Sequence, residues 1–95
     1  MALKFEWDVN KAEINKRKHN GITFEEASTV FSDFLSLVIS DPMHPDSEER
    51  FILIGRSEKQ RLLVVVHTER GNVIRLISAR EATNHERRKY EQNHD

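Results

Sequence analysis

The sequence predicts an α+β fold, an antiparallel sheet packed against N-terminal helices in the order β-α-α-β-β-β-β-α. Two observations carry this. Helix starts are marked at Asp8, Thr23 and Thr83, the last two as capping boxes with Glu26 and Glu86 three residues on. Between the second and third of these starts the apolar residues change from helical spacing to β-branched and aliphatic runs of strand length. With 95 residues the chain is expected to form one domain, residues 1–95.

Each element has its own signal. Leu3 to Trp7 alternates apolar and polar residues and reads as a short opening strand. Asp8 caps a helix that runs to about His19, where Lys16, Lys18 and His19 meet its negative end and Gly21 follows to stop it. Thr23 caps a second helix, with Ala27, Val30 and Phe31 at helical spacing, ending near Ser32 or Asp33. Leu35 to Ile39, Phe51 to Ile54, Arg61 to Thr68 and Val73 to Ser78 then read as four strands. Asp41 to Asp46, with two prolines, is a loop. Ser57 to Gln60 and Glu69 to Asn72 are short enough for hairpins, the second using Gly71 for positive φ. The last helix runs from Thr83 to about Gln92.

Composition removes several classes of function. Fifteen Lys and Arg against sixteen Asp and Glu give a formal charge of −1, so an indiscriminate attraction to nucleic acid or membrane is not expected. There is no cysteine, which excludes a disulfide scaffold, a thiol nucleophile and thiolate metal sites. The apolar run Leu62 to Val66 is too short to span a bilayer, and the first residues do not resemble a signal peptide. The expected location is cytoplasmic. Five histidines lie scattered without i, i+4 ligand spacing, so neither a metal site nor another cofactor is expected.

The strands Phe51 to Ile54 and Leu62 to Val66 carry apolar residues on both alternations, the pattern of strands covered on both faces. The two N-terminal helices can cover one face, whereas the final helix has little but Ala82 and Tyr90 to bury on the other. A second copy or a partner chain is therefore expected to complete the core, as a homodimer or a hetero-oligomer.

The side chains left for chemistry are arginine, lysine and histidine. On the first helix Lys11, Asn15, Lys18 and His19 share one arc, either as snorkelling stems or as a cationic wall beside a phosphate. Arg50, Ile52, Ile54 and Arg56 share one strand face; so do Leu63, Val65, His67 and Glu69. Arg75 faces with Ile77, and Ser78 and Arg80 face the other way, unless a bulge intervenes. His67 is either a structural hydrogen-bonder beside its apolar run or a catalytic group, and a strand-end arginine is either a phosphate clamp or paired to Glu48, Glu49 or Glu81. Such a set suits metal-free cleavage of RNA, which carries its own nucleophile in the 2′-hydroxyl.

Phe5-Glu6-Trp7-Asp8, Lys11-Ala12, Asn15, Lys18-His19 and Phe24 to Ala27 resemble the opening of the BrnT family. Glu48-Glu49-Arg50, Leu62 to Thr68, Ile77 to Arg80, Glu86-Arg87 and Tyr90-Glu91 continue that resemblance over nearly the whole chain. It implies a RelE-like fold and the toxin half of a bacterial type II toxin–antitoxin pair, a metal-independent endoribonuclease that arrests translation. It further implies neutralisation by a BrnA-like antitoxin, through which alone the complex would touch operator DNA. On the matching positions it implies phosphate clamping by Arg50, Arg75 and Arg80, with His67 or Glu49 for proton transfer. Lys18, His19 and Tyr90 are the further RNA-binding candidates. The near-neutral charge departs from the strongly basic character of many RelE-like toxins. It keeps a second reading open, an inactive homologue that only binds antitoxin in operon control.

Overall fold

The computed structural model describes residues 3–40 and 50–93. Its elements are β1 (Lys4–Glu6), α1 (Val9–Lys18), α2 (Phe24–Thr29), a 3₁₀ turn (Val30–Ser32), β2 (Leu37–Ser40), β3 (Arg50–Arg56), β4 (Leu62–Arg70), β5 (Val73–Glu81) and α3 (Asn84–Gln92). They build a five-stranded sheet in the order β1-β5-β4-β3-β2. The sheet is mixed, not antiparallel throughout. β2 to β5 form the expected meander, but β1 lies parallel to β5, with Phe5 opposite Ile74. The chain leaves β1 through two helices and re-enters the sheet at the far edge, so β5 returns beside β1 in the same direction.

The helix starts follow the capping chemistry. Asp8 accepts from the backbone of Asn10 and Lys11, and Thr83 and Glu86 form the complete reciprocal box. At Thr23 only half a box forms: Thr23 accepts from the Glu26 N–H, while the Glu26 side chain turns inward to Arg61 and Ser57. A buried ion pair outcompetes the local cap.

Two cores flank the sheet. On one face Ile22, Phe24, Ala27 and Val30 pack over Leu53, Leu63, Val65, Ile74, Leu76 and Ala79. On the other, α3 lays Tyr90 over Ile54, Leu62 and Val64. This helix covers only one end of its face. Ile52, Val66 and Ser78, further along, are half-buried. The Tyr90 hydroxyl donates to Asp33 at 2.6 Å, which fastens α3 to the turn before β2. Burial and the Asp33 carboxylate together push that phenol up to about 12.

Gly55 is where the 3₁₀ turn presses on β3. A Cβ there would sit 2.8 Å from Val30 Cγ1 and 3.1 Å from Ser36 Cβ. Gly55→Ala should therefore cost about 1–3 kcal/mol through overpacking, read as a lowered urea midpoint at unchanged slope.

Candidate functional site

A bulge decides which side chains meet. In the β4–β5 ladder Val66 pairs with Ser78 and His67 with Leu76, so Ile77 is an extra residue on β5. Before it, Ile74 and Leu76 face the N-terminal helices α1 and α2, and Arg75 faces the other way. After it, Ala79 faces α1 and α2 while Ser78 and Arg80 are on the α3 side. Strict alternation sets Arg75 against Arg80; the bulge puts them on one face.

That face carries a row of cross-strand neighbours. Arg50 pairs with Thr68, Thr68 with Arg75, and Arg75 with Glu6, so four strands contribute one residue each. At about 4.8 Å per strand the backbones of Arg50 and Arg75 stand about 10 Å apart, and Arg80 lies about 14 Å further along the strands. Thr68, Arg70 and Arg75 line a cleft of about 260 Å³ with Glu6 and Val73. Arg75 donates to Glu6 at 2.9 Å with both groups about half-exposed, a contact worth little to stability.

Arg80 is held more firmly. Its two terminal nitrogens meet the two Glu86 oxygens at 2.7 and 2.8 Å, a fork-to-fork pair joining β5 to the first turn of α3. The guanidinium holds the Glu86 carboxyl at about 2, and the carboxylate raises Arg80 in return. The carboxylate partner is Glu86, not Glu81 as the sequence offers; Glu81 gives Arg80 only its backbone carbonyl, at 3.3 Å, while its carboxylate accepts from Asn20 at 2.8 Å.

Helix α1 reaches the same place from the sheet edge. Its polar arc is turned inward only at Asn15, which is buried, while Lys11 and Lys18 are exposed. Asn15 Nδ2 donates to the Ala79 and Ile22 carbonyls at 2.9 and 3.2 Å, and Asn15 Oδ1 accepts from the Ala79 N–H at 3.0 Å. One turn on, Lys18 and His19 line a cleft of about 420 Å³ with Asn20, Arg80, Glu81 and Thr83. The helix ends there because Asn20 and Gly21 adopt positive φ, which the sequence signals through Gly21 alone.

Of the residues singled out by the sequence, Lys18, His19 and Arg80 thus converge at the β5 edge, and Arg50 and Arg75 share the open face with Arg80. Glu49 lies outside the described residues, as do Asp46 and Glu48. His67 is fully buried on the opposite, helix-covered face. Its ring stacks on Phe51 and meets Phe31 edge-on, its Nε2 lies 2.9 Å from Glu69, and its Nδ1 has no partner among the described residues. This separates His67 from the arginines with which the sequence groups it. Tyr90, grouped with the RNA-binding residues, is buried as the anchor of α3. Glu86 is legible in the sequence only as a cap, and nothing local marks Thr68 as the neighbour of the arginines. The cleft between Trp7 and α1, about 470 Å³, lies apart and sets Glu13 and Glu25 beside Lys16. Such mixed charge suits an anion poorly. Among the described residues no three His, Asp or Glu side chains are placed to hold a metal ion.

Comparison with known proteins returns a family and a fold. The family model described as "Ribonuclease toxin, BrnT, of type II toxin-antitoxin system" matches residues 7–86. The chain is also similar to the crystal structure of the Brucella abortus ribonuclease toxin BrnT, with a TM-score of 0.62 and 24% identity. That match covers 87% of this chain and 100% of the Brucella chain. At this identity the likeness establishes the fold, an α+β arrangement with a mixed sheet. No curated protein sequence matches the chain.

Proposed function

Since the chain belongs to the BrnT family of ribonuclease toxins of type II toxin–antitoxin systems, we propose that its arginine face binds RNA and cleaves it without metal. The observation that carries this reading is the bulge at Ile77, which aligns Arg75 and Arg80 on the open face with Arg50. The fold is of the RelE-like kind, in which basic and polar side chains take the place of a metal ion. Arg50 and Arg75 grip phosphates of the bound strand. Arg80, oriented by Glu86, sits at the reacting phosphate and stabilises the charge of the phosphorane. The 2′-hydroxyl attacks, so the protein supplies position, charge and proton transfer. His19 shares the Arg80 cleft and carries an imidazole, the side chain suited to proton transfer near neutral pH. It takes that task in preference to His67, which faces the other layer.

In the cell this activity arrests translation until a protein antitoxin, of the BrnA kind, covers the arginine face and neutralises its charge. Operator DNA is contacted through the antitoxin. Among the described residues no helix is long and apolar enough to cross a membrane.

Purified antitoxin-free protein should cut single-stranded RNA in excess chelator, leaving a 2′,3′-cyclic phosphate or 3′-phosphate end. An oligonucleotide with a deoxy sugar 5′ to the cut should resist. Cleavage lost in chelator and restored by magnesium would replace this chemistry with a metal-assisted one. No cleavage under any condition, with antitoxin binding intact, would leave the chain as a binding module only.

A further inference from the structure

We infer that Asn15 is the positioning residue of the cleavage site, acting through Lys18 and His19; this rests on the RNA-cleaving role of the Arg80 cleft. β1 pairs with β5 only as far as Arg75, and beyond that point the outer edge of β5 lacks a neighbouring strand among the described residues. Asn15 fills that place. Its amide both donates to and accepts from Ala79, as a paired strand residue would, and its second amide hydrogen goes to Ile22. Both donors of the buried amide and one lone pair of its oxygen are thus used, three of its four hydrogen-bonding positions, which fixes its orientation.

What is fixed is the relation of two elements that both carry site residues. Ala79 precedes Arg80 on β5, and Asn15 lies three and four residues before Lys18 and His19, on the same side of α1. The contact falls just after the bulge at Ile77, where the strand leaves its regular pleat and needs an external reference. The other end of this helical segment is tied by Asn20 to Glu81 and by Arg61 to the Asn20 carbonyl, at 2.8 and 3.2 Å. Those bonds hold the turn after the helix; Asn15 sets the height of the helix along the strand. An apolar residue at position 15 would bury α1 without choosing that height.

The test is cleavage kinetics on a short RNA with matched circular dichroism and melting curves. In folded Asn15→Ala protein kcat should fall about 10²-fold with KM changed less than about threefold, since displacement by about an ångström suffices for that loss. In a Lys18→Ala/His19→Ala background the same substitution should cost nothing further. Asn15→Asp supplies a second readout that also serves if the alanine variant melts at the assay temperature. Its ionised carboxylate faces two carbonyls, whereas its protonated form restores a donor to Ala79. Its kcat relative to the native protein should therefore rise as pH falls from about 8 to about 5. Native kcat in folded Asn15→Ala protein, full additivity with the double substitution, or a flat Asn15→Asp ratio overturns the inference. Native rates in Lys18→Ala and His19→Ala proteins overturn the reading of the cleft itself.

Discussion

Arg80→Ala protein should fold and yet cleave RNA about 10²–10³-fold more slowly, the loss of about 2.7–4 kcal/mol of transition-state stabilisation. The residue is half-exposed and packs little, so the fold loses mainly the tie to Glu86. The same tie explains why a lysine should recover little. Glu86 holds both terminal nitrogens of the guanidinium, and an ammonium cannot span the two oxygens in that geometry. Arg50→Ala and Arg75→Ala, further along the face, should act mainly on KM. Single-turnover cleavage beside a melting curve separates these outcomes. A well-folded Arg80→Ala protein with native kcat would remove this residue from the site.

The largest effect on the fold should come from Arg61→Ala. Glu26 is almost fully buried and its carboxylate is held by the Arg61 guanidinium and by the Ser57 hydroxyl at 2.6 Å. Removing Arg61 strands a buried charge, at about 3–5 kcal/mol for a closed pair, with the lower figure apt because Arg61 is partly solvated. Domains have only about 5–15 kcal/mol in total. Arg61 lowers the Glu26 pKa below its ordinary 4.5, so the stabilisation from the pair is present above that value and lost as pH falls through the lowered one. The native protein should weaken on that acid side, and the gap between it and Arg61→Ala should narrow there as Glu26 becomes neutral in both. Urea unfolding at neutral and acid pH measures this. An equal gap at both would show that the carboxylate is not what Arg61 compensates.

Alternation along a strand was readable, and it sorted Arg50 with Arg56 and Leu63 with His67 as the structure does. What it lacks is an absolute side. β4 is apolar both ways, so nothing in its own residues says which set meets α2 and which meets α3. The family resemblance groups His67 with the arginines, and alternation alone cannot say that they lie on opposite faces. Local caps were legible where no distant partner competes, as at Thr83 and Glu86, and half-legible at Thr23, where Arg61 draws Glu26 away. Pairings between Arg75 and Glu6 or Asn15 and Ala79, each more than sixty residues apart, belong to the assembled sheet and have no local signal. Tyr90 is legible in the sequence as one of the few residues α3 has to bury, and it is buried.

The extra residue at Ile77 amounts to a change of parity in the chain. Up to it the outward positions of β5 are odd-numbered, Val73 and Arg75; past it they are even, Ser78 and Arg80. Remove Ile77 and keep every other letter, and one half of the strand must exchange its inner chemistry for its outer. Either Arg75 would be driven beneath α2 or Arg80 would leave the company of Glu86. Two chains could therefore share every basic residue named above and differ in whether those residues ever meet, by a single gap. The site is inherited through a count as much as through its arginines.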